Sequence, residues 1–351
     1  MYLLKPTLFL IATLCSINTF AQKNIDQKVE TLLEKMTLSE KVGQMNLYNG
    51  FYDVTGPAPA AGDAKRKYND LKNGMVGSVL NIKGVEQVRQ IQQLVVDSSR
   101  LGIPLIFAYD VIHGHKTLAP IPLAESASWD FEAIEMSARM AAKEATAVGL
   151  NMTYAPMVDI SRDARWGRVM EGAGEDPYLG SKIGVARVKG FQGTDLSDEN
   201  TMIACAKHFA GYGFSESGRD YNTVDMSRIR MYNEYMPPYK AAVDAGVRSV
   251  MTSFNEIDGI PASANSWLLD DLLRTEWGFD GFVVTDYTGI PEMTDHGIGD
   301  LQHVSALALQ AGVDMDMVGE GFISTLKQSL EEGKITEDDI DKACRRILQD
   351  T

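Results

Sequence analysis

Short apolar runs alternate with longer segments of helical periodicity along most of the chain. Seven of these runs have the length and composition of buried strands. They are residues 76–80, 104–110, 151–159, 202–208, 249–254, 281–286 and 313–316. Between them, apolar residues recur at helical spacing over 85–96 and 131–148, and Thr37-Leu-Ser-Glu40 has the form of a capping box that begins a helix.

This alternation of strands and helices predicts a parallel sheet with right-handed crossovers. The number of units favours an α/β fold of the (β/α)8 TIM-type barrel over an open doubly wound sheet. With seven strands in the pattern, the barrel is expected to be irregular or incomplete. No G-x-G-x-x-G follows the first strand, and no P-loop motif occurs, so the usual nucleotide-binding signals are missing.

Polar side chains follow most of the predicted strands. They are Asp110, Asp159, Lys207 with His208, Asn255, Asp286 and Asp316. In a barrel, the carboxyl ends of the strands converge on one mouth, where catalytic groups lie. Asp286 is the strongest candidate, because the run 282–284 leads directly into its carboxylate, which is costly to bury without a partner. It is a candidate nucleophile or base, and the alternative is that it caps the following turn or helix.

Lys207 and His208 are two basic side chains at the end of one buried strand, with no evident structural use. A neighbouring cation lowers the pKa of a carboxylate and keeps it ionised, as a carboxylate nucleophile requires. Arg168 lies beside Trp166 in a short loop and is expected at the same mouth. Asp176 precedes Pro177, where a structural role at the start of a helix is favoured.

Composition limits the partners. The chain has 351 residues and a formal net charge of −15, which argues against binding to nucleic acid or anionic membranes. Cys205 and Cys344 are too far apart to form a disulfide framework and are expected to be packed thiols. No Cys/His spacing indicates a metal site, and we expect no cofactor.

The first 21 residues have the pattern of a secretory signal. Lys5 supplies a positive charge, 8–14 is a short apolar core, and 19–21 (TFA) resembles a cleavage site. We therefore expect a mature chain that begins at residue 22 and is periplasmic or secreted.

A series of motifs runs in order through nearly the whole chain after residue 22. They are 107–114 (FAYDVIHG), 151–159 (NMTYAPMVD), 165–168 (RWGR), 174–177 (GEDP), 207–213 (KHFAGYG), 221–227 (YNTVDMS), 235–239 (YMPPY), 266–269 (SWLL), 277–279 (WGF) and 284–287 (VTDY). This series resembles the N-terminal barrel of family 3 glycoside hydrolases, most closely those of the periplasmic β-glucosidase type.

The resemblance implies roles by position. Asp286 matches the catalytic nucleophile, and the residues that match glycone-binding positions of the first subsite are Asp110, Arg168, Lys207 and His208. Phe254 matches a substrate-binding position at which many members have Tyr, so a hydroxyl that would contact the nucleophile is missing.

The implied reaction is hydrolysis of O-glycosidic bonds, with release of non-reducing-end β-D-glucosyl residues and retention of configuration. Asp286 attacks the anomeric carbon, and water hydrolyses the covalent glycosyl-enzyme. A second carboxyl, about 5 Å away, acts as acid and then base.

The chain departs from the family pattern at this acid/base residue. Two-domain members carry it as a Glu on a second α/β domain, which we expect to be absent from this chain, whose predicted barrel covers 22–351. Single-domain members that cleave N-acetylglucosaminides use an Asp-His pair instead, and no histidine lies between His208 and His296. Glu216 and Asp220 are the carboxylates on that loop that would have to substitute.

Other readings therefore stay open. They are a β-xylosidase, a β-N-acetylglucosaminidase, and a non-catalytic or partner-dependent sugar-binding barrel. The expected partner is a small-molecule or oligosaccharide substrate, without nucleic acid or, in the mature form, a membrane. Self-association through the barrel face that a second domain would otherwise cover is a further expectation.

Overall fold

The computed structural model describes residues 24–51, 56–214, 216–221 and 223–351. The predicted signal segment, 1–21, lies outside them. The strands are β1 (Asn46–Asn49), β2 (Ser78–Leu80), β3 (Ile106–Tyr109), β4 (Met152–Thr153), β5 (Ile203–Phe209), β6 (Ser249–Thr252), β7 (Glu256–Ile257), β8 (Ile260–Pro261), β9 (Phe282–Val284) and β10 (Asp316–Met317).

Helices separate most of these strands. They are α1 (24–33), α2 (Leu38–Gln44), α3 (Gly62–Lys72), α4 (Val85–Ser98), α5 (Pro122–Ser126), α6 (Phe131–Thr146), α7 (Pro177–Gln192), α8 (Arg228–Arg230), α9 (Pro237–Asp244), α10 (Gly289–Asp295), α11 (Leu301–Ala311), α12 (Gly321–Glu331) and α13 (Glu337–Leu348). Short 3₁₀ turns cover Val169–Glu171, Glu216–Gly218 and Ala262–Ala264, and π-helical segments cover Met231–Tyr235 and Trp267–Glu276.

Eight strands form one sheet in the order β10-β1-β2-β3-β4-β5-β6-β9, and every pairing in it is parallel. The ends of this sheet meet, because Val284 forms a parallel bridge with Met315 and the Thr285 amide donates to the Met315 carbonyl at 3.0 Å. The barrel predicted from the alternation of strands and helices is therefore confirmed. The hairpin of β7 and β8 lies outside it.

Strand β1 was missed by the sequence pattern. It reads Asn-Leu-Tyr-Asn, with a polar residue at each end, and directly follows the predicted helix α2. Leu47 and Tyr48 are nonetheless fully buried, and the buried Asn46 side chain donates to the Met75 carbonyl at 3.2 Å. This tertiary hydrogen bond holds the Asn46 amide group at a position that local periodicity would place at a surface.

Several local predictions are confirmed. The capping box formed by Thr37 with Glu40 begins α2. Asp176 caps α7 through the Leu179 amide. The barrel core is apolar, as the complete burial of β9 illustrates, and both mature cysteines are free and buried. None of the described helices is long and apolar enough to cross a membrane.

Candidate active site

Asp286 lies just beyond the carboxyl end of β9. The chain turns sharply there, since Thr288 has a φ of 58°, a left-handed conformation rare for a β-branched residue. The Tyr287 amide donates to Asp286 Oδ1 at 2.7 Å. The other oxygen, Oδ2, is buried and has no hydrogen-bond partner in the described part of the chain, although 14% of the side chain is exposed. One carboxylate oxygen is thus held and the other is unpaired.

Lys207, near the end of β5, reaches the same mouth. Its Nζ lies 2.9 Å from Asp110 Oδ1 and 3.9 Å from Glu171 Oε2. The lysine side chain is only 4% exposed, whereas that of Asp110 is 51% exposed. The ammonium is therefore buried with its charge compensated, and Asp110 keeps oxygen surface free for a ligand.

His208 lies between Asp286 and a buried carboxylate. Its Nε2 is 3.5 Å from Asp286 Oδ2, and its Nδ1 is 2.8 Å from Asp159 Oδ2. Burial, and then the charge of Arg168, lower the pKa of His208 to about 3. The expectation that His208 is a cation beside Asp286 is therefore corrected: the ring is neutral, because a charged imidazole is poorly solvated in this position.

Arg168 is held by Glu171 through two hydrogen bonds, from Nε to Oε1 at 2.7 Å and from Nη2 to Oε2 at 3.0 Å. Burial favours a higher pKa for Glu171, but Arg168 and Lys207 outweigh it, and the pKa is lowered. Glu171 was not among the predicted site residues. The signal for it was its position three residues after Arg168, on the turn Val169–Glu171.

An aromatic wall lines one side of this charged cluster. Phe254, Trp166, Tyr212 and Met157 form a buried group, in which Tyr212 contacts both Trp166 and the ring of His208. The exposed ring of Tyr221 packs on Phe254 with centroids 4.6 Å apart. Phe254 therefore lies in this aromatic wall.

Two other strand-end or loop carboxylates have structural partners. Asp220 accepts a hydrogen bond from the Trp166 indole at 2.8 Å. Asp316 accepts from the amides of Gly321 and Phe322 at the start of α12. The structure therefore brings Asp110, Arg168, Lys207, His208 and Phe254 together around Asp286, while Asp316 supports the barrel.

A small cavity adjoins the charged cluster on the side of Asp110. Its volume is about 190 Å³, and Asp110, His113, Leu118, Met170 and Glu171 are among the residues that line it. The site thus combines carboxylates, an ammonium, a guanidinium and aromatic faces, which suits a polyhydroxylated ligand that needs both donors and acceptors.

The model of the family described as "Glycosyl hydrolase family 3 N terminal domain" matches residues 37–349. The chain belongs to this family. The resemblance inferred from the motifs is thereby confirmed, and the barrel can be compared with other family 3 proteins.

Named relatives agree with this membership. The family 3 barrel is 46% identical over 324 residues to the periplasmic beta-glucosidase of Salmonella typhimurium, covering 92% of the chain and 41% of the relative. It is 37% identical over 344 residues to a beta-xylosidase of Formosa agariphila, covering 93% of the chain and 42% of the relative.

Solved structures agree as well. The beta-glucosidase of Listeria innocua in complex with isofagomine superposes with a TM-score of 0.84 at 43% identity, covering 92% of this chain and 45% of that one. The complex of the same enzyme with glucose has a TM-score of 0.85 at 41% identity and covers 92% and 46%. The family 3 barrel thus spans less than half the length of these relatives.

Proposed function

We propose that this chain is the sugar-binding, nucleophile-bearing barrel of a retaining β-glucosidase, acting in the periplasm or after secretion. The reaction is hydrolysis of an O-glycosidic bond, with release of a β-D-glucosyl residue from the non-reducing end. One observation carries the proposal: Asp286 is a partly exposed carboxylate at the barrel mouth, and its buried Oδ2 has no partner among the described residues. The name of the Salmonella relative and the predicted signal segment support the location.

The first step forms a bond between a carboxylate oxygen of Asp286 and the anomeric carbon. The bond from that carbon to the glycosidic oxygen breaks, and its electron pair leaves with the oxygen, which takes up a proton. Water then attacks the anomeric carbon and releases the carboxylate, so two inversions give retention. Asp286 must be ionised to attack, and the guanidinium of Arg168 lies within electrostatic reach of its carboxylate.

The surrounding groups are matched to the hydroxyls of a pyranose. Arg168 and Lys207 supply donors, and Asp110 and Glu171 supply acceptors that are already in place. Because these groups are paired with each other before a sugar binds, little reorganisation is needed when it does. The wall that contains Phe254 and Tyr221 offers an apolar face to the ring.

The proton for the leaving oxygen is proposed to come from outside this barrel. A retaining enzyme needs a second carboxyl about 5 Å from the nucleophile. The loop carboxylate Asp220 already accepts a hydrogen bond from the Trp166 indole. The relatives are more than twice as long as the part that this chain matches, which fits a barrel, predicted over 22–351, that works with further protein.

Two other readings have observations in their favour. The likeness to a Formosa beta-xylosidase supports a β-xyloside as the substrate. The lack of an evident acid/base residue in the described cluster supports a sugar-binding barrel that depends on a partner. A β-xyloside lacks the hydroxymethyl group that a β-glucoside carries on its pyranose ring, so the two substrates distinguish the first reading. The second reading is distinguished by the absence of turnover.

Hydrolysis of aryl glycosides by the whole chain tests these readings. We expect release of 2,4-dinitrophenol from 2,4-dinitrophenyl β-D-glucoside, and much slower cleavage of cellobiose, since general acid catalysis contributes about 10²–10⁴-fold where the leaving group is poor. The matching β-D-xyloside should react more slowly than the glucoside. A faster xyloside reaction would replace the glucosidase reading with the xylosidase one.

The matched controls are Asp286→Asn and Asp295→Asn. Asp295 is an exposed carboxylate on α10, close to Asp286 in sequence but outside the cluster. The first variant should lose release of dinitrophenol, and the second should keep it. If wild type and Asp286→Asn bind glucose equally in calorimetry and neither releases dinitrophenol, the barrel is a binding module and the enzymatic proposal fails.

A further inference from the structure

A chain of buried polar groups supports His208 on the side of the ring that faces away from Asp286. Asp159 Oδ2 lies 2.8 Å from His208 Nδ1 and accepts the His208 backbone amide at 3.0 Å. Tyr239 Oη lies 2.5 Å from Asp159 Oδ1 and 2.6 Å from the His208 carbonyl oxygen. All three side chains are buried, so protein groups must satisfy one another here.

The two short contacts of Tyr239 need two protons, and a phenol has one. A carbonyl oxygen only accepts, so the contact with the His208 carbonyl uses the phenol proton. The contact between Tyr239 Oη and Asp159 Oδ1 then needs a proton from Asp159, because two bare acceptors repel at this distance. Burial raises the pKa of Asp159 to about 6, so the buried acid keeps its proton below that pH.

The same count of hydrogen-bond donors and acceptors assigns the tautomer of His208. Asp159 Oδ2 accepts from the His208 amide, and with the acid proton on Oδ1 it accepts from Nδ1 as well, so Nδ1 carries the ring proton. A neutral ring has a single N–H, which leaves a lone pair on Nε2. That lone pair lies 3.5 Å from Asp286 Oδ2, an acceptor with no partner in the described residues. His208 Nε2 and Asp286 Oδ2 are therefore two adjacent acceptors, and a donor from a ligand could bind to either.

We propose that Asp159, as a protonated acid, is a positioning residue that holds His208 in the neutral Nδ1–H tautomer, so that Nε2 accepts a hydrogen bond from a hydroxyl of the bound sugar beside the nucleophile. The identity of that ligand rests on the proposed function. The tautomer does not, because it is a property of the protein alone. His208 therefore acts as an acceptor at the mouth, and the positive charge near Asp286 comes from Arg168 and Lys207.

Asp159→Asn is the conservative variant that distinguishes a protonated from an ionised Asp159, because its amide group resembles the protonated acid and carries no charge. Its amide oxygen can accept from His208, and its NH₂ can donate to Tyr239, as the protonated acid does. We expect its kcat/KM for the aryl glucoside to stay within about threefold of wild type, whereas Asp159→Ala should lose on the order of 10- to 100-fold. If Asp159→Asn loses as much as Asp159→Ala while both keep wild-type circular dichroism, the charge of Asp159 is required and the proposal is overturned.

Nitrogen NMR of the whole chain reads the tautomer without any turnover. The chain has five histidines. Labelled with ¹⁵N-histidine, it should give a His208 signal, identified by its loss in His208→Gln, of a neutral Nδ1–H ring between about pH 5 and pH 6, where Asp159 keeps its proton. Asp159→Asn should give the same signal. An Nε2–H ring or an imidazolium in this range would overturn the assignment. An intact signal in a chain that cleaves no glycoside would support it and count against the proposed function alone.

Discussion

Lys207 and Asp110 form an ion pair across the barrel mouth, with 2.9 Å between Nζ and Oδ1. Lys207 lies near the end of β5 and Asp110 directly follows β3, and these two strands are separated in the sheet by β4. The pair therefore spans one intervening strand and joins a buried ammonium to an open carboxylate. Because Lys207 also lies 3.9 Å from Glu171, it is the common counter-charge of two acceptors at the mouth.

Removing this ammonium should disable the site while leaving the barrel folded. In Lys207→Met the aliphatic stem is kept. Asp110 and Glu171 lose their shared cationic partner, and their carboxylates then repel each other at the mouth, close to Asp286. We expect kcat/KM for the aryl glucoside to fall about 10²-fold. The control is Lys182→Met, an exposed lysine on α7, which should be unchanged. Equal kinetics for the two variants would contradict this role for Lys207.

Glu171 is predicted to keep Arg168 away from the nucleophile. In Glu171→Gln the guanidinium loses its charged partner, and Asp286, whose charge already acts on Arg168, is a carboxylate with which it could pair instead. A direct pair between Arg168 and Asp286 would reduce nucleophilicity, so we expect kcat to fall on the order of tenfold. Steady-state kinetics measure this, with the exposed Glu175→Gln as the control. A change in KM alone would mean that Glu171 only binds sugar.

The difference between Glu171 and Asp286 indicates how far sequence reasoning reaches into a site. Asp286 could be predicted, because a buried strand leads directly to it and the carboxyl ends of parallel strands converge. Glu171 lies on a loop whose fold depends on tertiary contacts, and its charge looked like that of any surface residue. The neutral state of His208 was likewise hidden, since it depends on complete burial and on the charge of Arg168, which lies on a separate loop.

The buried carboxylate of Asp316 makes stability depend on pH. Burial raises its pKa from 3.8 to about 6 in the folded protein. A raised pKa means that the folded state holds the proton more tightly, so this contribution to stability is complete below about pH 4 and is lost as pH rises through 6. The loss amounts to about 3 kcal/mol at 1.36 kcal/mol per pKa unit.

Asp316→Asn should remove this dependence. Its side chain has no titrating group, and its amide oxygen can still accept from the Gly321 amide. In urea unfolding, wild type should lose stability relative to the variant between about pH 4 and pH 7. A difference in unfolding free energy that stays constant over this range would mean that Asp316 titrates normally.

The fold, like the site, could be predicted from the sequence only in part. The alternation of strands and helices indicated the barrel, and the capping box at Thr37 indicated the start of α2. The sequence pattern missed β1, because Asn46 and Asn49 interrupt its apolar run and only pairing with β2 and β10 identifies it as a strand. Local patterns report burial poorly where a polar side chain finds its partner on a distant segment.

The central claim is that Asp286 forms a bond to the anomeric carbon. A 2-deoxy-2-fluoro-β-D-glucoside with a dinitrophenyl leaving group tests it. The fluorine slows both formation and hydrolysis of the glycosyl-enzyme, while the good leaving group keeps its formation fast enough to observe, so that the intermediate accumulates. Mass spectrometry of the whole chain and then of its peptides should find one fluoroglucosyl group, on Asp286, and none in Asp286→Asn. An adduct on another residue, or no adduct in a wild-type chain that releases dinitrophenol, would contradict the account.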